Sequence, residues 1–112
     1  MTSEELLALF AAVGHTQRLR ILAALADGQV HVSELARRLG LSRPLLYMHL
    51  DRLEKAGLVI GHLELSEEGR ALKFFALAPF ELTLTIDTIL AALREDQLRG
   101  GSPERAAESD GS

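Results

Sequence analysis

Residues 33–57 read SELARRLGLSRPLLYMHLDRLEKAG. The pattern is two short helices with a tight turn between them. Ser33 is placed to cap the first, because its hydroxyl accepts from an otherwise unpaired N–H. Glu34 sets negative charge against the positive end of that helix. Leu35, Ala36 and Leu39 recur at helical spacing, and Arg37 and Arg38 point away from them. Gly40 takes the left-handed geometry that ends a helix. Ser42 offers a second cap, and Pro44 falls in the first turn, where its missing N–H costs little. Leu46, His49, Leu50 and Leu53 make the inner face of the second helix. Arg43, Tyr47, Met48 and Asp51 make the outer face, and Gly57 ends it. Helix, short Gly-containing turn, capped helix is the helix-turn-helix arrangement.

The flanking chain completes the unit. Thr2 or Ser3 caps a first helix carrying Leu6, Leu9, Phe10 and Val13 at helical spacing, and Gly14 breaks it. A second helix is predicted from about Thr16 to Ala26, with Leu19, Leu22, Ala23 and Leu25 inside; Asp27-Gly28 then turns the chain. Val30-His31-Val32 is a short β-branched strand. After Gly57, Leu58–Leu65 and Ala71–Ala78 are apolar runs around the turn Ser66-Glu67-Glu68-Gly69-Arg70, a β-hairpin or wing. Pro79 ends it. Phe80 to Leu98 reads as a long final helix striped by Leu82, Ile86, Ile89, Leu90 and Leu93, although Thr83, Thr85 and Thr88 are poor helix formers. The fold class is mainly α with a small β-hairpin, a winged helix-turn-helix. It occupies residues 1–99 as one domain, followed by a polar tail at 100–112 expected to be disordered.

Charge is unevenly spread. The chain of 112 residues carries a formal −4. Residues 15–56 nevertheless hold seven Arg or Lys against four acids, and residues 57–99 hold four against seven. Positive charge therefore gathers where the helix-turn-helix lies, pointing to double-stranded DNA. The acidic remainder shifts discrimination towards base contacts. The absence of cysteine excludes disulfides, thiolate metal sites and thiol nucleophiles together. With no Gly-rich phosphate loop and no paired nucleophile, an enzyme is not expected. There is no secretory signal and no apolar run long enough to cross a membrane, so a cytoplasmic location is expected.

The chain from about Leu6 to Leu98 resembles the ArsR/SmtB winged-helix transcriptional regulators. Three segments carry the likeness: Gly14-His15-Thr16-Gln17-Arg18-Leu19-Arg20-Ile21-Leu22; Val32 to Gly57, with His49-Leu50, Leu53 and Ala56-Gly57-Leu58-Val59 in register; and the wing, where Gly69-Arg70 precedes Phe74-Phe75-Ala76-Leu77. The resemblance implies a homodimer that binds an operator and changes affinity with an effector. Within the family the chain as a whole looks like a nickel-linked regulator. There are departures. The family's Cys-bearing metal motif is replaced by Val32-Ser33-Glu34-Leu35-Ala36. The last helix carries Glu81, Asp87, Glu95 and Asp96 but none of the His ligands of another subgroup.

The expected DNA contacts follow from these placements. Arg43 is positioned to bond two acceptors on a guanine edge, and Tyr47 and Met48 share its face. Arg37, Arg38, Ser42 and Arg52 are candidates for phosphate, Arg70 for the minor groove, and Lys73 beside it. Asp51 departs from a DNA-facing pattern. The spare apolar stripes of the terminal helices suggest a symmetric dimer through Leu6, Leu9, Phe10, Val13, Leu82, Ile86, Ile89, Leu90 and Leu93. Its two reading helices would match a palindromic site. No cofactor is required. Imidazole suits nickel or zinc, and His15 and His62 with Glu81 and Asp87 are the weak candidates for a regulatory metal. Two alternatives stay open: a metal-independent regulator controlled by a co-regulator protein, and a winged-helix interaction module that has lost DNA binding.

Overall fold

The computed structural model describes residues 1–100; the expected disordered tail lies outside the described residues except for Gly100. The elements run α1 (Ser3–Val13), α2 (Thr16–Ala24), β1 (Val30–His31), α3 (Val32–Leu39), α4 (Arg43–Lys55), β2 (Val59–Leu65), β3 (Ala71–Leu77) and α5 (Ile86–Leu98). Among the described residues, five helices and a three-stranded antiparallel sheet in the order β1-β3-β2 make the expected winged helix-turn-helix. The described residues divide into two compact units, Ala11–Phe80 and the two terminal segments, residues 1–10 with 81–100.

The Ala11–Phe80 unit is built on the inner face of α4. Leu46, Leu50 and Leu53 are at most 1% exposed, and Leu35 of α3, Ile21 of α2 and Leu25 just beyond it are equally buried. Each such side chain contributes roughly 1.5–3 kcal/mol relative to exposure. Gly40 ends α3 at φ 66°, a left-handed geometry that a Cβ would strain. Val30 pairs with Phe75 and His31 with Phe74, so β1 ties the start of α3 to the hairpin. The wing turn closes through Ser66 and Arg70, whose backbone groups bond at 2.8 Å.

Three local expectations are corrected. The buried stripe of α2 is Arg18 and Ile21, continued by Leu25; Leu19 is 54% exposed and Ala23 is also outside. The helix is rotated because Arg18 turns inward, where it donates to the Ala11 carbonyl at 2.8 Å. Helix α3 starts at Val32, and its cap is His31, whose Nδ1 accepts from the Ser33 N–H at 3.2 Å. Ser33 lies inside the helix. The last helix starts at Ile86, not Phe80: residues 80–85 are not helical. Thr85 is extended, and its side chain accepts from the Thr88 N–H while Thr88 accepts from the Thr85 N–H. That reciprocal box makes Thr85 a stop against helix propagation from upstream. Leu82 therefore lies in the non-helical segment before α5.

In the terminal unit, Thr2 and Glu5 form a matching box at the start of α1. The Asp96 carboxylate accepts from both the hydroxyl and the backbone N–H of Ser3, the latter at 2.9 Å. Those two bonds hold Asp96 below its ordinary value, side-chain bond first.

Candidate nucleic-acid interface

Helix α4 is aimed by its two ends. At the start, Ser42 Oγ accepts from the Leu45 N–H at 3.3 Å, and Pro44 occupies the first turn. At the end, Gly57 takes φ 79° and the chain turns into β2. With Leu46, His49, Leu50 and Leu53 inside, the opposite face carries Arg43, Tyr47, Met48, Asp51 and Arg52, all exposed. This is the face expected to read bases.

The charges on that surface are partly spoken for. Asp51 pairs with Lys55 at 2.9 Å, so its carboxylate is not left alone among the basic groups. Arg43 donates to Ser33 Oγ, which parks the guanidinium at the first turn of α3. Arg37 and Arg38 both bond the Glu34 carboxylate, Arg38 at 3.1 Å. Glu34 is held down to about 2, chiefly by Arg37 and then by Arg38. These pairs are exposed and therefore weakly held, and a phosphate can compete for either arginine. Among the described residues, Arg52, Arg70 and Lys73 form no ion pair with an acid.

Behind the reading face sits a group that sequence reasoning placed only in part. His49 is 2% exposed, and its Nδ1 accepts from Arg18 Nε at 3.2 Å. Arg18 is itself 8% exposed and spans from His49 to the last turn of α1. The His15 ring lies 4.7 Å from that of His49. Burial first, then the charges of His15, Arg18 and Arg52, push His49 below its ordinary 6.5.

In the wing, Arg70 is exposed beside Glu67 and Glu68. Lys73 does not extend outwards like Arg70. Its ammonium lies over the Phe75 ring, 5.5 Å from the centroid, and Tyr47 meets the same ring edge-on at 6.3 Å. Gly61, opposite Phe75, donates its N–H to Glu54 Oε2 of α4 at 3.2 Å. The sequence offered one sign of this junction, a lone glycine in a strand pattern, which marks a close approach.

Of the metal candidates, the two histidines lie in the Ala11–Phe80 unit and the two acids in the terminal unit. His15 Nδ1 is taken by the Gln17 N–H at 3.1 Å, where it caps α2. His62 Nε2 bonds Glu64 at 3.1 Å, and its ring stacks on Phe74. Glu81 precedes the shortened α5, and Asp87 lies in its exposed first turn. Among the described residues no three His, Cys, Asp or Glu side chains gather as a metal would need. Of the residues expected at a dimer surface, Leu6 is buried, Leu9, Phe10 and Val13 are half-buried, and Leu82, Ile86, Ile89, Leu90 and Leu93 are exposed.

Residues 15–60 match the model of the bacterial regulatory protein family named arsR. The transcriptional regulator CmtR of Mycobacterium tuberculosis is 33% identical over 111 residues, which cover 98% of this chain and 90% of that one. HlyU from Vibrio cholerae superposes with a TM-score of 0.58 at 31% identity, over 78% of this chain and 89% of its own. A homodimeric winged helix-turn-helix DNA-binding domain from Mycobacterium bovis shares the fold, with a TM-score of 0.60 at 20% identity over 87% of this chain and 84% of that one.

Proposed function

The chain belongs to the ArsR family of bacterial transcriptional regulators, and from that premise we propose that it reads a palindromic promoter site as a homodimer with α4 in the major groove. The observation that carries this is the outer face of α4. Arg43, Tyr47, Met48 and Arg52 stand exposed on a helix whose opposite side is locked into the core, and the one acid among them is neutralised by Lys55. Arg43 leaves Ser33 to bond a guanine edge, Tyr47 and Met48 contact thymine methyl groups, and Arg52 and Ser42 bond phosphate. Arg37 and Arg38 exchange Glu34 for phosphate, and Arg70 reaches the minor groove from the wing turn.

The dimer is supported by α5, where Ile86 is 66% exposed, Leu90 49% and Leu93 50%. Leu7 of α1 is 49% exposed. Apolar side chains this open on two amphipathic helices favour burial against a second copy. The homodimeric state of the Mycobacterium bovis domain points the same way.

The test is selection of a duplex from a randomised pool by the wild-type chain, followed by a mobility shift with Arg43→Ala. The expected result is a selected inverted repeat. Its affinity should fall about tenfold or more in the variant, matching the loss of about 1–3 kcal/mol for one bidentate base contact. Unchanged affinity and base preference in a folded, dimeric variant would remove Arg43 from the reading set. Selection of no duplex would remove DNA recognition altogether.

A further inference from the structure

We propose that Gly61 is a positioning residue for duplex binding: its missing side chain is the notch across which Lys73 folds back over Phe75, so that an unpaired ammonium is held ready for a backbone phosphate at the junction of α4 and the wing. The inference rests on the promoter-binding reading and deepens it.

The geometry is specific to this glycine. Its φ is not in the left-handed region, so the backbone does not require glycine there. The space does. A Cβ at Gly61 would stand 2.8 Å from Phe75 Cε1, 3.0 Å from Lys73 Cε and 3.1 Å from Lys73 Nζ. The approach to Phe75 is one that real Cβ atoms essentially never show, and the two to Lys73 are tight enough that the lysine must give by a few tenths of an ångström. The closest approach is to Phe75, which is 2% exposed and held by the core, so a Cβ there would press on that ring as well as on the flexible end of Lys73. With glycine in place, the lysine stem crosses the strand and its ammonium rests 5.5 Å from the Phe75 centroid.

A ring holds a cation without neutralising it. Lys73 forms no ion pair among the described residues. The carboxylate that comes to this point, Glu54, accepts the Gly61 N–H at 3.2 Å and forms no ion pair with Lys73. That bond also fastens the last turn of α4 to β2, and Tyr47 of α4 meets the Phe75 ring from its own side. One buried ring thus locates a reading side chain and a wing cation together. The cation's position is set before any duplex arrives, which lowers the ordering cost of the contact. A lysine that merely covered Phe75 would have the same geometry but no phosphate to lose.

The experiment uses the full chain and has two readouts. By NMR of the free protein, the Lys73 side-chain methylene protons should be shifted upfield by the Phe75 ring and return to ordinary positions in Gly61→Ala. Anisotropy with the duplex selected by the wild type then gives the slope of log affinity against log salt. Lys73→Gln should lower that slope by about 0.9, the value for one lost phosphate contact. Gly61→Ala should lower it by the same amount, and the double variant should lower it no further. Unshifted methylene protons overturn the proposal whether or not DNA is bound. A slope unchanged in Lys73→Gln overturns it while leaving promoter binding intact. So does a double variant that loses two contacts' worth. If Gly61→Ala does not fold, the ring shift of the Lys73 methylenes in the wild type and the Lys73→Gln slope decide together, and absence of either overturns the proposal. A wild-type chain that selects no duplex fails the promoter reading, and this role with it.

Discussion

At the scale of single residues, the informative group is Arg18, a charge turned inward with no acid beside it. Its acceptors are a neutral imidazole and a backbone carbonyl, at 3.2 and 2.8 Å. A buried guanidinium is tolerable when its N–H groups are bonded, and here the bonds also join α2 to the back of the reading helix. Arg18→Met should therefore destabilise the fold by about 2 kcal/mol, since it leaves His49 and Ala11 without their donor; urea unfolding measures it. His49 makes the same link sensitive to acid. Its folded value is depressed, so the unfolded chain takes up the proton first as pH falls. Its contribution is fully present above its ordinary 6.5 and is lost as pH drops towards the lower folded value. Unfolding midpoints across that range should show this slope, and His49→Asn, which keeps an acceptor facing Arg18, should flatten it. The inner placement of His49 was legible from its spacing with Leu46, Leu50 and Leu53. Its partner was not, because a cation is expected outside and the two residues stand 31 apart in sequence.

At the scale of elements, every helix and strand was readable from periodicity and punctuation, while the starts of α3 and α5 were set by local hydrogen bonds that periodicity does not carry. Helices α2 and α3 are capped by His15 and His31 through Nδ1. Ser, Thr, Asp and Asn are the usual caps, and Ser33, just beyond His31, is a residue of that kind. The wrong start for α5 has the same origin. The apolar stripe continues back to Leu82, but the Thr85–Thr88 box ends the helix first. Thr85→Ala should cost about 1 kcal/mol of stability by thermal or urea unfolding. Loss of nothing would mean that packing alone sets the helix start. Glu34 illustrates the surface counterpart. Glu34→Gln releases Arg37 and Arg38, and duplex affinity should rise because neither cation then has to leave a carboxylate for phosphate; a mobility shift measures it.

At the scale of the whole molecule, a formal charge of −4 and DNA binding are compatible because the bases are concentrated in residues 15–56. The fold presents four of that segment's side chains, Arg43, Tyr47, Met48 and Arg52, on one exposed helix face. The proposed dimer rests on the open apolar residues of α5. Ile86→Asn with Leu90→Asn should shift sedimentation towards the monomer and weaken binding to the full inverted repeat more than to a half-site. The absence of cysteine makes the most direct test clean. Met48→Cys places a single thiol, unique in the chain, at the centre of the exposed α4 face. Presented with the selected duplex carrying a thiol-tethered base in the major groove, it should form a disulfide at one position in each half-site. A Leu98→Cys control, at a residue 78% exposed on α5, should form none. No cross-link from position 48, or equal cross-linking from position 98, would contradict the placement of α4 in the groove.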